Sequence, residues 1–147
     1  MDILSKLSER LKDLIEEAEL NPSELAKCTG LSVSVISRIL SSERMPSYKT
    51  LITLADFFCC TTDYLVGRTE SWTETNFKKC PPFNEQLDFL LKKFEISKYK
   101  LEKETGLKED TVNRWHKGIY EPTVEHIIEL AKYFDRSVDF VLGRIDY

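Results

Sequence analysis

The sequence predicts an all-α protein made of two tandem five-helix domains, and three observations carry that reading. The chain repeats itself, its apolar residues recur at helical steps, and its Val and Ile residues never fall into the alternation of a strand. Sliding the sequence by 76 residues aligns residues 10–68 with 86–144 without a gap, and 17 of those 59 positions are identical. The identities fall at structural points. Leu25, Thr29, Gly30 and Leu31 meet Leu101, Thr105, Gly106 and Leu107, Arg38 meets Arg114, and Pro46 meets Pro122. Leu54, Ala55 and Phe58 meet Leu130, Ala131 and Phe134, and Asp63, Gly67 and Arg68 meet Asp139, Gly143 and Arg144. The expected organisation is domain 1 over residues 1–68, a linker over 69–82 and domain 2 over 83–147.

In the first copy, Ile3, Leu4, Leu7, Leu11, Leu14, Ile15 and Ala18 recur at three- and four-residue steps, the stripe of an amphipathic helix. Asn21 is placed to cap a second helix with Pro22 at its first position, a pairing that costs no backbone donor. That helix runs to about Cys28 and stops at Gly30, which adopts positive φ without penalty. Ser32 caps a third helix over residues 33–40. A fourth spans 47–58 with Leu51, Leu54, Ala55 and Phe58 inward, and Thr61 or Thr62 starts a last short one that ends before Gly67. The second copy repeats the plan from Phe83, with Ser97, Lys108, Thr123 and Ser137 at the corresponding helix starts. Trp115, at helical spacing, reads as core, and His116 and His126 read as surface groups. Trp72 and Phe77 read as residues that pin the linker to a domain.

Composition excludes several function classes. With 41% hydrophobic and 31% charged residues, the chain has the balance of a globular protein. No apolar run is long enough to cross a bilayer, and Met1 to Arg10 has helical patterning instead of a targeting signal, so a cytoplasmic location is expected. Cys28, Cys59, Cys60 and Cys80 form no CxxC pair, and reduced thiols are expected. No nucleophile–base constellation, phosphate-cradling glycine loop or metal-ligand cluster is visible, so neither an enzyme nor a cofactor or small-molecule ligand is predicted. Net charge is −4, which by itself counts against a nucleic-acid binder. Residues 1–70 carry 8 basic and 11 acidic groups and residues 71–147 carry 13 and 14, so affinity for a polyanion must come from a local basic face.

Such a face has a place. A short helix, a turn containing Gly and a second short helix form the helix-turn-helix plan, and residues 22–40 have its spacing. Leu25 and small Ala26 lie on the first helix, Gly30 in the turn, and Ile36, Ile39 and Leu40 form the buried stripe of the second. The opposite stripe is Val33, Ser34, Ser37, Arg38 and Ser41, whose short, mostly polar side chains let a helix lie deep in a major groove.

These residues, with Pro46-Ser47, Leu54-Ala55 and Asp63-Tyr64-Leu65-Val66-Gly67, resemble the XRE family of lambda-repressor/Cro-like DNA-binding domains. The second copy is similar through Lys100-Leu101, Gly106-Leu107, Val112-Asn113-Arg114-Trp115, Glu121-Pro122-Thr123 and Asp139-Phe140-Val141-Leu142-Gly143. The resemblance covers some 120 of the 147 residues and implies two tandem lambda-repressor-like helix-turn-helix domains. It implies recognition helices over 33–40 and 109–116, with Val33, Ser34, Ser37 and Arg38, and Glu109, Asp110, Asn113 and Arg114, at base edges. Arg38 and Arg114 suit guanine, Asn113 adenine, and Val33 a thymine methyl. Glu109 and Asp110 have two readings, contact with the amino group of cytosine or stabilisation of a helix N-terminus. Phosphate contacts are implied for Arg44, Ser47 and Lys49 in the first copy and for Lys98, Lys100, Lys117 and the backbone of Gly118 in the second. Cys59 and Asp135 stand where the family often has Gly at a helix end; Asp tolerates positive φ better, which puts strain at Cys59.

The function so implied is that of a sequence-specific transcriptional regulator of repressor type, acting on double-stranded DNA as a cis pseudo-dimer or a homodimer. The alternative is a protein-interaction module, antirepressor, antitoxin-like or dimerisation in role, in which one or both domains no longer read DNA. The acidic balance and Glu109-Asp110 motivate that alternative.

Overall fold

In a computed structural model the described residues are 2–71 and 77–146, and Trp72 lies outside them. Two compact units divide the chain, Met1–Asn76 and Phe77–Tyr147. The first holds α1 (Ile3–Glu17), α2 (Pro22–Thr29), α3 (Val33–Leu40), α4 (Tyr48–Phe57) and α5 (Thr62–Leu65). The second holds α6 (Phe83–Lys93), α7 (Lys98–Thr105), α8 (Thr111–His116), α9 (Val124–Phe134) and α10 (Val138–Leu142). No strand occurs among the described residues, and none of their helices is long and apolar enough to cross a membrane.

Local chemistry starts most of these helices where the sequence placed them. Asn21 and Glu24 form a reciprocal capping box around Pro22, satisfying two backbone donors that a helix end would otherwise leave open. Ser32, Ser47, Ser97, Thr123 and Ser137 each accept the backbone N–H three residues on. Thr61, not Thr62, caps α5. Gly30 and Gly106 end α2 and α7 in the left-handed region. Cys59 (φ 53°) and Asp135 (φ 54°) also sit there, and the cysteine carries the larger intrinsic penalty.

The two units pack alike. α1 lies on α3 and α5, α2 on α3 and α4, and α4 on α5; α6 lies on α8 and α10, α7 on α8 and α9, and α9 on α10. Leu7, Leu11, Leu25, Ile36, Ile39 and Leu54 are at the centre of the first core. Leu87, Leu90, Leu101, Val112, Leu130 and Phe140 are at the centre of the second, where Trp115 is buried edge-on to Phe83 at 6.1 Å. Several residues read as inward are not fully buried: Ile3, Leu4, Leu40 and Phe58 are half-buried, and Ala18, the C-cap of α1, is exposed. Phe58 is the C-cap of α4 with its ring against Phe57, and Leu40 ends α3 with its carbonyl accepting the Ser8 hydroxyl. Tyr48 is buried at the start of α4, where polar Ser47-Tyr48-Lys49 hid it from the apolar pattern.

Each unit closes on its final helix through a polar clamp. In the first, the buried Arg10 guanidinium donates to the carbonyls of Tyr64 and Thr69, pairs with Glu70 at 2.9 Å and lies 4.1 Å from the Tyr64 ring centre. In the second, Gln86 donates to the Phe140 carbonyl at 3.0 Å, and Arg144 pairs with Asp139, both fully buried. The Arg144 guanidinium also stacks 3.9 Å over Phe77, and its carbonyl accepts Lys78 N–H. Both ends of the segment read as a linker are therefore docked. Thr69 and Glu70 belong to the first unit, and Phe77 and Lys78 to the second. The sequence reading anticipates Phe77 as a pin, but it misses Thr69 and Glu70, whose hold depends on Arg10, 59 and 60 residues away.

Candidate nucleic-acid interface

In the first unit the helix-turn-helix is α2 and α3. Ala26 is buried where the helices cross, and the side chains of Ile36 and Ile39 anchor α3 from below. Val33, Ser34, Ser37 and Arg38 all lie exposed on the opposite face, brought together as the spacing predicts. Among the described residues no carboxylate, ring or carbonyl engages the Arg38 guanidinium, which stands open on the last turn of α3. Arg38, Arg44 and Ser47 line one concavity, with Val35, Ile39, Met45, Pro46 and Thr50 as its remaining wall. Base-reading and phosphate-binding candidates thus share a single surface. Arg44 and Lys49 are exposed; Ser47 is exposed too, but its hydroxyl caps α4.

The second unit keeps the buried anchors, Val112 and Trp115, but differs at the helix crossing and at the cap. Lys108 stands where Ser32 caps α3, and a lysine accepts no hydrogen bond. Glu102 stands where Ala26 lies at the helix crossing, and its carboxylate supplies the missing acceptors. One oxygen takes Asp110 N–H at 2.7 Å and the other Val112 N–H at 3.1 Å. The helix consequently starts at Thr111, not at residue 109 as the repeat predicts, and is capped from α7 instead of from Lys108. Glu109 and Asp110 are in the turn before it, and Asp110 takes φ 70°. Both acids therefore precede the first turn of α8 instead of lying in it, with Asp110 at its N-cap.

Asp110 is turned onto its own helix. Its carboxylate accepts Asn113 Nδ2 at 3.0 Å and pairs with Arg114 Nε at 3.1 Å, and these two bonds, in that order, hold the carboxyl below the usual carboxylate range. Asn113 Oδ1 also receives Lys98 Nζ at 3.3 Å, and Arg114 lies 5.4 Å from the Tyr120 ring centre. Three residues expected to meet DNA are therefore occupied with each other or with Asp110. Lys100 has an i,i+4 partner in Glu104 at 3.8 Å, while Lys117 and Gly118 are exposed beyond α8. His116 and His126 are half-buried and partnered, correcting their reading as surface groups. His116 meets Asp88 at 3.1 Å, tying α8 to α6, and His126 completes the Thr123 capping box.

Glu102 and Tyr120 escaped the sequence reading. The signal for Glu102 was present in the repeat, which sets a glutamate against the small Ala26 at the crossing, and in the missing cap at Lys108.

A family model described as helix-turn-helix matches the chain twice, over residues 11–65 and 89–141. No curated protein and no solved structure matches the chain.

Proposed function

Because the chain belongs to the XRE helix-turn-helix family, a DNA-binding family and not one of enzymes, we propose that it is a sequence-specific transcriptional repressor whose base readout comes from α3 of the first domain. The observation that carries this is the open Arg38 guanidinium on a surface shared with Arg44 and Ser47. Arg38 reads guanine through O6 and N7, Ser34 and Ser37 add short polar contacts, and Val33 touches a thymine methyl. Arg44 and Lys49 hold phosphates on either side, and Lys117 and the Gly118 backbone of the second domain add contacts that carry no sequence information. Occupancy of a promoter by this surface blocks transcription.

With one reading face open per chain, a two-fold site requires two chains, so a homodimer with α3 helices about 34 Å apart, one turn of DNA, reads a palindrome. A cis pseudo-dimer reads two unlike half-sites instead. The second domain itself supports the protein-interaction reading better than base readout, since Asp110 occupies Asn113 and Arg114.

Selection on genomic DNA, followed by titration across salt concentrations, tests the proposal. A defined site with a negative log–log salt slope is expected. Arg38→Ala costs about 1–3 kcal/mol at a guanine position, while Arg114→Ala leaves the enriched motif unchanged. No enrichment, or a motif indifferent to Arg38→Ala, overturns it.

A further inference from the structure

The second helix-turn-helix carries a built-in obstruction, and its parts form a chain of contacts. Glu102 reaches across the turn and fixes the backbone N–H groups of Asp110 and Val112. That hold places Asp110 in the left-handed region, the one such position among the described residues with no left-handed counterpart in the other copy. From there the Asp110 carboxylate reaches back to Asn113 and Arg114, the two side chains best suited to read bases. A second carboxylate, Glu109, stands beside it on the face that a phosphate backbone would approach.

We propose that Glu102 is a positioning residue that closes the second reading face to DNA, acting through Asp110, and so determines that the chain reads sequence with one domain. This rests on α3 being the reader in the first domain. The first copy shows what an open face requires: Ala26 at the crossing, Ser32 as the cap and Ser34 in the first turn. Giving the second copy the same residues, Glu102→Ala with Lys108→Ser and Asp110→Ser, removes the carboxylate that fixes the turn, restores a local cap and frees Asn113 and Arg114.

The test uses the full chain carrying Arg38→Ala, which weakens readout by the first face, with and without the three substitutions. Genomic DNA selection on the triple variant yields a motif absent from its parent and bound at least tenfold more tightly, and Arg114→Ala abolishes that gain. A folded triple variant whose selection matches the parent overturns the proposal. Loss of fold, read by circular dichroism, is met by a second variant, Asp110→Asn, which keeps a residue tolerant of positive φ. In that variant the Arg114 Nε–H resonance shifts and exchanges faster with solvent; an unchanged resonance equally overturns the proposal. Failure of the α3 reading shows separately, as a wild-type chain that enriches no DNA.

Discussion

The two domains share a backbone and differ in the use of one turn. Their left-handed positions pair across the repeat: Glu19 with Glu95, Gly30 with Gly106, Ser42 with Gly118, Cys59 with Asp135, Gly67 with Gly143. Asp110 alone among the described residues breaks the pattern, since its counterpart Ser34 is helical. Helix packing also corresponds pair for pair. What diverged is the chemistry at the crossing of the second and third helices, where a methyl group in one copy is a carboxylate in the other. A single acceptor placed there moved a helix start by two residues and engaged two side chains that the same scaffold leaves open elsewhere. Identity of fold, then, does not transmit the state of the reading face.

Substitutions at paired positions break or sharpen this comparison. The largest contrast is expected at the terminal arginines. Arg144 and Asp139 are 0% and 1% exposed, against 28% and 11% for Arg68 and Asp63. Removing Arg144 takes the buried Asp139 carboxylate's charge partner away, so Arg144→Ala destabilises the second domain by about 3–5 kcal/mol. Arg68→Ala costs the first domain about 1 kcal/mol or less, because solvent screens that pair. Urea titration followed by amide resonances of each domain separates the two.

A smaller contrast lies at the caps. Ser32→Ala removes the acceptor of Val35 N–H and costs about 1 kcal/mol. At the paired position Lys108→Ala changes stability by less than about 0.5 kcal/mol, because the cap comes from Glu102. Equal losses would mean that Glu102 is not the working cap.

The smallest effect is a titration. Tyr133 donates its phenol proton to Glu104, and this bond to a carboxylate, ahead of burial, pushes the phenol up to about 12. The paired residues, Phe57 and Cys28, cannot make it. A pKa raised by folding means the contribution is complete below the unfolded value near 10 and is lost as pH rises through about 12. Alkaline absorbance titration should show one late tyrosine that Glu104→Gln returns to the ordinary range.

The helix plan was legible because its punctuation is local. Asn21-Pro22, Ser32, Ser47, Ser97, Thr123 and Ser137 each act on an N–H within three residues. The exposed face proposed as the first reader was legible for the same reason, since one stripe of α3 is apolar and the other is not. Illegible were the features built from distant partners. The start of α8 depends on a side chain eight to ten residues upstream, and the docking of Thr69 and Glu70 depends on Arg10. A periodicity rule sees neither. Arg114 looked equivalent to Arg38 because sequence reports identity and not occupancy.

The docked ends of the connecting segment also leave few residues between the two domains. With Glu70 held by Arg10 and Phe77 under Arg144, only residues 71–76 join the two anchors. If α3 engages DNA as proposed, covalent linkage through so few residues brings the second domain to the same stretch of phosphates, where contacts too weak to matter in a free domain would lengthen the residence of the whole chain. A domain that reads no bases can thereby act as ballast on the DNA.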